Sequence, residues 1–235
     1  NGQNISCNGA GNGAIDLSVA GGTTNYTYSW SNNLNTQDVS GLSAGTYSVL
    51  VTDVNGCTAT NSITITQPAA LNSVVIISSN VSCNSGNNGS ANVNPTGGTL
   101  PYTYSWSNGQ TTSAASGLTA MMYSVTVTDV NGCSITNFFT ITQPTALTKT
   151  LTTTNVNCNG GNNGTASISI NGGVTPYTYL WSNTQTTSSI SGLAFGSYSI
   201  TVTDGNGCTI TDVANINQPT VLDRKSTRLN SSHRT

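Results

Sequence analysis

The chain has 235 residues, with five Lys or Arg against seven acidic residues, and four of its five cations lie in the last thirteen positions. Residues 1–222 carry one cation, Lys149, against six aspartates (Asp16, Asp38, Asp53, Asp129, Asp204 and Asp212), a net charge of about −5. That balance excludes a nucleic-acid partner, which needs Lys and Arg to displace counterions, and equally a polybasic contact with a membrane surface.

The composition is polar but rich in Val, Ile and Thr, with three Trp and nine Tyr, which disordered chains lack. Thin all-β domains with many turns fit it better. No apolar run is long enough to insert into a bilayer. The chain opens at Asn1 inside a motif, so it reads as a fragment, and the missing targeting segment carries no information.

Three copies of one module dominate the sequence. Cys7, Cys83 and Cys158 recur, as do Trp30, Trp106 and Trp181, and Cys57, Cys133 and Cys208, at spacings of 76 and 75 residues. Within each copy the two cysteines are 50 apart. Gln-Pro pairs at 67–68, 143–144 and 218–219 mark the boundaries, since proline ends a strand ladder and stiffens a link. The expected domains are residues 1–68, 69–144 and 145–222, with 223–235 as a non-native tail. Copy one has only NGQNISC where copies two and three have ALNSVVIISSNVSC and ALTKTLTTTNVNC, so its first strand is expected to be missing and its stability lower.

Taken in order through copy two, SANVNP alternates apolar and polar, placing Ala91 and Val93 on one face (Ile15 and Leu17, Ala166 and Ile168 in the other copies). A Gly-Gly turn leads into PYTYSW, with Tyr102, Tyr104 and Trp106 on one face. MYSVTVTD puts Tyr123, Val125 and Val127 inward, and NFFTIT closes the copy with Phe139 and Ile141 inward. Between the last two strands lies VNGC, whose Asn-Gly predicts a type I′ hairpin turn. No segment has a helical period. The expected fold is all-β: three tandem immunoglobulin-like or PKD-like antiparallel sandwiches of about seven strands each, in an elongated array. Tyr47, Tyr123 and Tyr198 match the tyrosine corner of such domains, and Trp30, Trp106 and Trp181 their core tryptophan.

Six cysteines suggest three bonds, and pairing within each copy is the simple expectation: Cys7–Cys57, Cys83–Cys133 and Cys158–Cys208. Small domains gain from such staples, and disulfides imply an oxidising compartment, hence export to the cell surface. Zinc is not expected, because residues 1–222 have no His and no CxxC. The same lack of His, Glu and Arg removes every acid–base or nucleophilic constellation, so the chain is not expected to be an enzyme. The one metal candidate is D-x-N-G-C (Asp53 and Asn55, Asp129 and Asn131, Asp204 and Asn206), whose oxygens could assist Ca²⁺; the competing reading is an aspartate that hydrogen-bonds its own turn. The YTYSW stripe is read as core, with a sugar-stacking platform as the other option.

The ordered string C-N-x-G-x-N-G, G-G-x-x-P-Y-T-Y-x-W-S-N and G-L-x-x-x-x-Y-S-V-x-V-T-D-x-N-G-C resembles the SprB-type repeat of Bacteroidota surface adhesins over residues 1–222. Copy one departs mildly, with Thr24-Asn25 at the proline position. The resemblance implies stalk modules of large surface proteins, exported by the type IX route and linked to gliding motility or adhesion, and it assigns no ligand residues. Two functions are compatible with it. The first is a spacer, whose repeats have one another as partners and hold a distant adhesive region off the surface. The second is a set of repeated binding modules for polysaccharide or a surface protein, gaining avidity from repetition. The final DRKSTRLNSSHRT interrupts the next expected repeat, and DRKSTRLNSSH is the in-frame translation of a common sequencing-library adapter. It is therefore read as non-native and disordered.

Overall fold

The computed structural model describes residues 1–222, so the expected non-native tail lies outside the described residues. Every regular element among them is a strand, and no helix is long and apolar enough to cross a membrane. Copy one holds β1 (Gly2–Gln3), β2 (Gly13–Ile15), β3 (Thr27–Trp30), β4 (Val39–Leu42), β5 (Gly45–Thr52) and β6 (Thr58–Ile65). Copy two holds β7 (Asn72–Ser79), β8 (Gly89–Thr96), β9 (Thr103–Trp106), β10 (Ala114–Leu118), β11 (Met122–Thr128) and β12 (Ser134–Thr140). In copy three are β13 (Thr148–Thr154), β14 (Gly164–Asn171), β15 (Thr178–Trp181), β16 (Ser189–Leu193), β17 (Gly196–Thr203) and β18 (Thr209–Ile216).

Each copy forms two antiparallel three-stranded sheets, ordered β1-β2-β4 and β3-β5-β6 in copy one and equivalently in the others. This is the immunoglobulin order with the fourth strand absent: six strands, where about seven were expected. The segment between β3 and β4, SNNLNTQD, has neither alternation nor a run of β-branched residues and crosses between the sheets as turns. The first strand of copy one is a two-residue remnant, pairing Gly2 with Ile15 and Gln3 with Ala14. Its counterpart β7 runs eight residues against β8.

The inward faces are those the alternation predicts. Ala91, Val93, Tyr123, Val125, Val127 and Ile141 are buried, while Thr103 and Ser105 are exposed. Each fully buried Val or Ile contributes about 1.5–3 kcal/mol. The sheets meet closely at the start of the second strand. A Cβ on Gly89 would fall 2.8 Å from both Ile141 Cγ2 and the Leu118 carbonyl oxygen, and Gly13 and Gly164 meet Ile65 and Ile216 in the same way. Glycine is required there by space.

Sheets stay within single copies, but the compact units do not. One unit comprises Asn1–Asn80 with Asn88–Ile141; the other takes Val81–Asn87 together with the chain from Thr142 on. The disulfides account for this. They are Cys7–Cys133 and Cys83–Cys208, and Cys57 and Cys158 are free and exposed. The expected pairing within copies is therefore wrong, for a geometric reason. The Cys7 loop is held at the far end of β6, with Asn8 Nδ2 donating to Pro68 O (3.0 Å) and Gly9 N–H to Gln67 Oε1 (2.9 Å). Cys57 directly precedes β6. An eight-residue strand separates them by about 26 Å, whereas a disulfide holds its Cα atoms about 4.4–6.8 Å apart. The first cysteine of one copy instead meets the second cysteine of the next, at Cα separations of 5.6 and 5.7 Å.

Candidate functional site

The motifs that carry chemical groups gather where one copy is joined to the next, and the joint is built around the D-x-N-G-C hairpin. In copy two, Gly132 N–H donates to Asp129 O at 3.1 Å, Asp129 N–H donates to Cys133 O at 2.9 Å, and Gly132 has φ +84°. Only the glycine takes positive φ, so this is a type I turn followed by a left-handed glycine, not the expected type I′ turn. Gly56 (φ +82°) and Gly207 (φ +83°) repeat it.

The aspartate side chain organises the turn. Asp129 Oδ1 accepts the N–H groups of Asn131 and Cys133, both at 2.9 Å, and Oδ2 accepts that of Thr99 at 2.9 Å. Asp204 does the same with Asn206, Cys208 and Val174, and Asp53 with Asn55, Cys57 and Thr23. The Thr23 and Cys57 N–H groups hold the Asp53 carboxyl below the usual range. At Asp204 burial is the largest influence and pushes upward. The N–H groups of Val174, Cys208, Asn206 and Gly207 together outweigh it, so this carboxyl also lies low.

The candidate calcium donors are engaged in the turn and the joint. Both carboxylate oxygens already accept main-chain N–H groups. The asparagines turn amide N–H toward oxygens: Asn55 to Thr23 Oγ1 (2.8 Å), Asn131 to Thr99 Oγ1 (3.1 Å) and Asn206 to Ser82 O (2.9 Å). Among the described residues no cluster of three His, Cys, Asp or Glu could hold a metal.

The linker from the preceding copy lies against the hairpin. Gly98 N–H donates to Ala69 O and Gly173 N–H to Thr145 O, each at 2.9 Å. Gly97 (φ +72°) lets the linker pass, since a Cβ there would sit 2.0 Å from Ala70 O. Across the joint, Asn131 Nδ2 donates to Ser6 O (3.1 Å), beside the Cys7–Cys133 bond. A cleft of about 470 Å³ adjoins the Cys83–Cys208 bond, lined by Asn84, Pro144, Leu147, Gly173 and Asp204. The sequence alone assigned Asn8 no role, Gln67 only that of a boundary residue and Gly97 only that of a turn residue. Their signal was present in the fixed C-N, Gln-Pro and Gly-Gly positions of every copy.

The tryptophans are committed to the interior, and the half-buried Tyr47 and Tyr198 pack against the same cores. Trp30, Trp106 and Trp181 are at most 3% exposed, and each indole N–H donates to a main-chain oxygen, of Thr36 (2.8 Å), Thr112 (2.7 Å) and Thr187 (2.9 Å). The Tyr47, Tyr123 and Tyr198 hydroxyls donate to the carbonyls of Ser43 (2.9 Å), Thr119 (3.3 Å) and Ala194 (3.2 Å), each four residues upstream, which is the tyrosine-corner contact. Tyr123 also stacks on Phe139, whose edge meets Trp106.

The family model described as the SprB repeat matches three times, at residues 1–35, 75–111 and 150–186. No curated protein matches in sequence. Among solved structures, the chain is similar to the N-terminal eight Ig domains of Down Syndrome Cell Adhesion Molecule, at 12% identity and TM-score 0.41, covering 83% of this chain and 33% of that one. It is also similar to extracellular domains 3–5 of Drosophila OTK, at 13% identity and TM-score 0.31, covering 84% and 87%. The chain spans about a third of the first structure's length. These scores are low, and the fold class rests on the strand order itself.

Proposed function

This chain is a run of SprB-type repeats, and from that premise we propose that it belongs to the repeat region of a cell-surface adhesin and serves there as a spacer. The observation that carries the reading is the disulfide between successive copies, which joins the modules covalently in series. Two further features support it. The tryptophans and tyrosine corners face inward, and the aspartates are spent on main-chain N–H groups, so each copy keeps few groups free for chemistry. Disulfides persist outside the cytosol, which agrees with export, and we propose the type IX route and a part in gliding motility on the resemblance to the repeat family alone.

A second reading, binding of polysaccharide or a surface protein by each copy, is favoured by the cleft beside Cys83–Cys208, whose volume falls within the usual range for ligand sites. A glycan-array screen of the full chain, with and without Ca²⁺, separates the two. The spacer reading expects no glycan signal and no effect of calcium on array or Tm. Saturable binding abolished by Asn84→Ala would replace the spacer by a binding module.

A further inference from the structure

The two free cysteines are the unfilled halves of a joint that the structure shows filled twice. At Cys57 the hairpin is already formed, with Asp53 holding the Asn55 and Cys57 N–H groups. Beside it is an open slot of about 200 Å³, lined by Ala20, Gly21, Gly22, Tyr26, Asp53 and Cys57. In copies two and three the equivalent slot holds the incoming linker, where Ala69 O and Thr145 O accept the Gly98 and Gly173 N–H groups. At Cys158 the complementary half is formed too. Asn159 Nδ2 donates to Pro219 O and Gly160 N–H to Gln218 Oε1, both at 3.0 Å, as Asn84 and Ser85 do with Pro144 and Gln143. Its linker lacks a seat: Leu222 is 97% exposed, whereas its counterparts Leu71 and Leu147 are half-buried.

We propose that these halves are mutual docking sites, and that the Cys158 end of one chain couples head to tail with the Cys57 hairpin of a second copy. Gln218–Leu222 enters the slot beside Asp53, the Asn55 amide meets the Asn157 carbonyl as Asn131 meets Ser6, and the two sulfurs are brought together. With oxidised glutathione as oxidant, the Cys158 thiolate attacks one glutathione sulfur and displaces the other as a thiol. The Cys57 thiolate of the second copy then attacks the Cys158 sulfur and releases the remaining glutathione. One S–S bond is consumed and one formed; two protein thiols are oxidised, and their protons end on two glutathione thiols. The coupling follows from the formed disulfides and holds whether or not the repeats bind a ligand.

The test uses two full-length variants, Cys57→Ser, which retains Cys158, and Cys158→Ser, which retains Cys57, in a glutathione redox buffer. Peptide mapping first verifies that Cys7–Cys133 and Cys83–Cys208 are intact. Mixed together, the variants are expected to form a disulfide dimer at least about tenfold faster than either alone, because docking raises the effective thiol concentration. Adding Leu222→Asp to the Cys57→Ser variant, the partner that supplies Cys158, is expected to remove most of that advantage while leaving its reactivity toward a small disulfide reagent unchanged. Equal rates for mixed and single variants, or no mixed dimer, would overturn the proposal.

Discussion

Asp204 is a buried carboxylate whose charge is balanced by main-chain N–H groups, so its removal should cost more than a surface charge would. Asp204→Ala leaves donors of Val174, Asn206 and Cys208 without their acceptor and is expected to destabilise copy three by about 2–3 kcal/mol, measured by urea unfolding. The pH dependence has a definite sign. Because folding lowers the carboxyl pKa at Asp53 and Asp204, their contribution is fully present above the unfolded value of about 4, and it is lost as pH falls through the lower folded value. The Tm of the native chain should therefore hold steady from neutral pH to about 5 and decline below about 4, with a shallower decline in the Asp204→Ala variant. The role of these aspartates in the turn was legible in D-x-N-G-C, because a carboxylate two residues before an amide is a common turn device. The turn type was not, since Asn-Gly serves either hairpin and the choice depends on the strand register on both sides.

At the scale of elements, the difference between copies is concentrated in the first strand. β7 pairs along most of β8, but β1 supplies two residues, and Leu17 is half-buried where its counterparts Val93 and Ile168 are buried. The space left open is a cavity of about 230 Å³ bordered by Asp16, Leu17, Trp30, Tyr47, Asn61 and Ile63. In copy two, Ser73 of β7 lies at that position, hydrogen-bonded to Asn137, the counterpart of Asn61. A peptide of residues 71–76, LNSVVI, is accordingly expected to pair with residues 16–20, beyond the two pairs that β1 makes with β2, and hydrogen exchange there should slow by about tenfold. A scrambled peptide should have no effect, and equal protection by both would refute strand addition. Alternation revealed the buried faces because each strand has one wet side. The strand count was overestimated because the immunoglobulin pattern was expected to supply about seven strands, whereas SNNLNTQD has no pattern to form the fourth. Its run of Asn and polar residues was the available warning.

For the whole molecule the cysteines decide the covalent path, and here the expectation failed although the fold class contained the answer. In an immunoglobulin-order sandwich the turn after the first strand and the last hairpin lie at opposite ends, so Cys7 cannot reach Cys57. The overlapping bonds also limit how far the chain can be drawn out. Under load a fully unfolded chain runs from residue 1 to Cys7, crosses to Cys133, returns through the copy to Cys83, crosses to Cys208 and continues to the end. That path holds about 80 residues and spans about 300 Å, against about 800 Å for the reduced chain. Pairing within copies would by coincidence give a similar limit, so the native chain alone does not discriminate. The Cys57→Ser, Cys158→Ser double variant does. It removes no bond from the observed set and should still stop at about 300 Å. Within-copy pairing would leave it one bond, Cys83–Cys133, and let it reach about 650 Å. Single-molecule pulling between the termini reads this difference directly, and a spacer that must transmit load without lengthening is expected to give the shorter value.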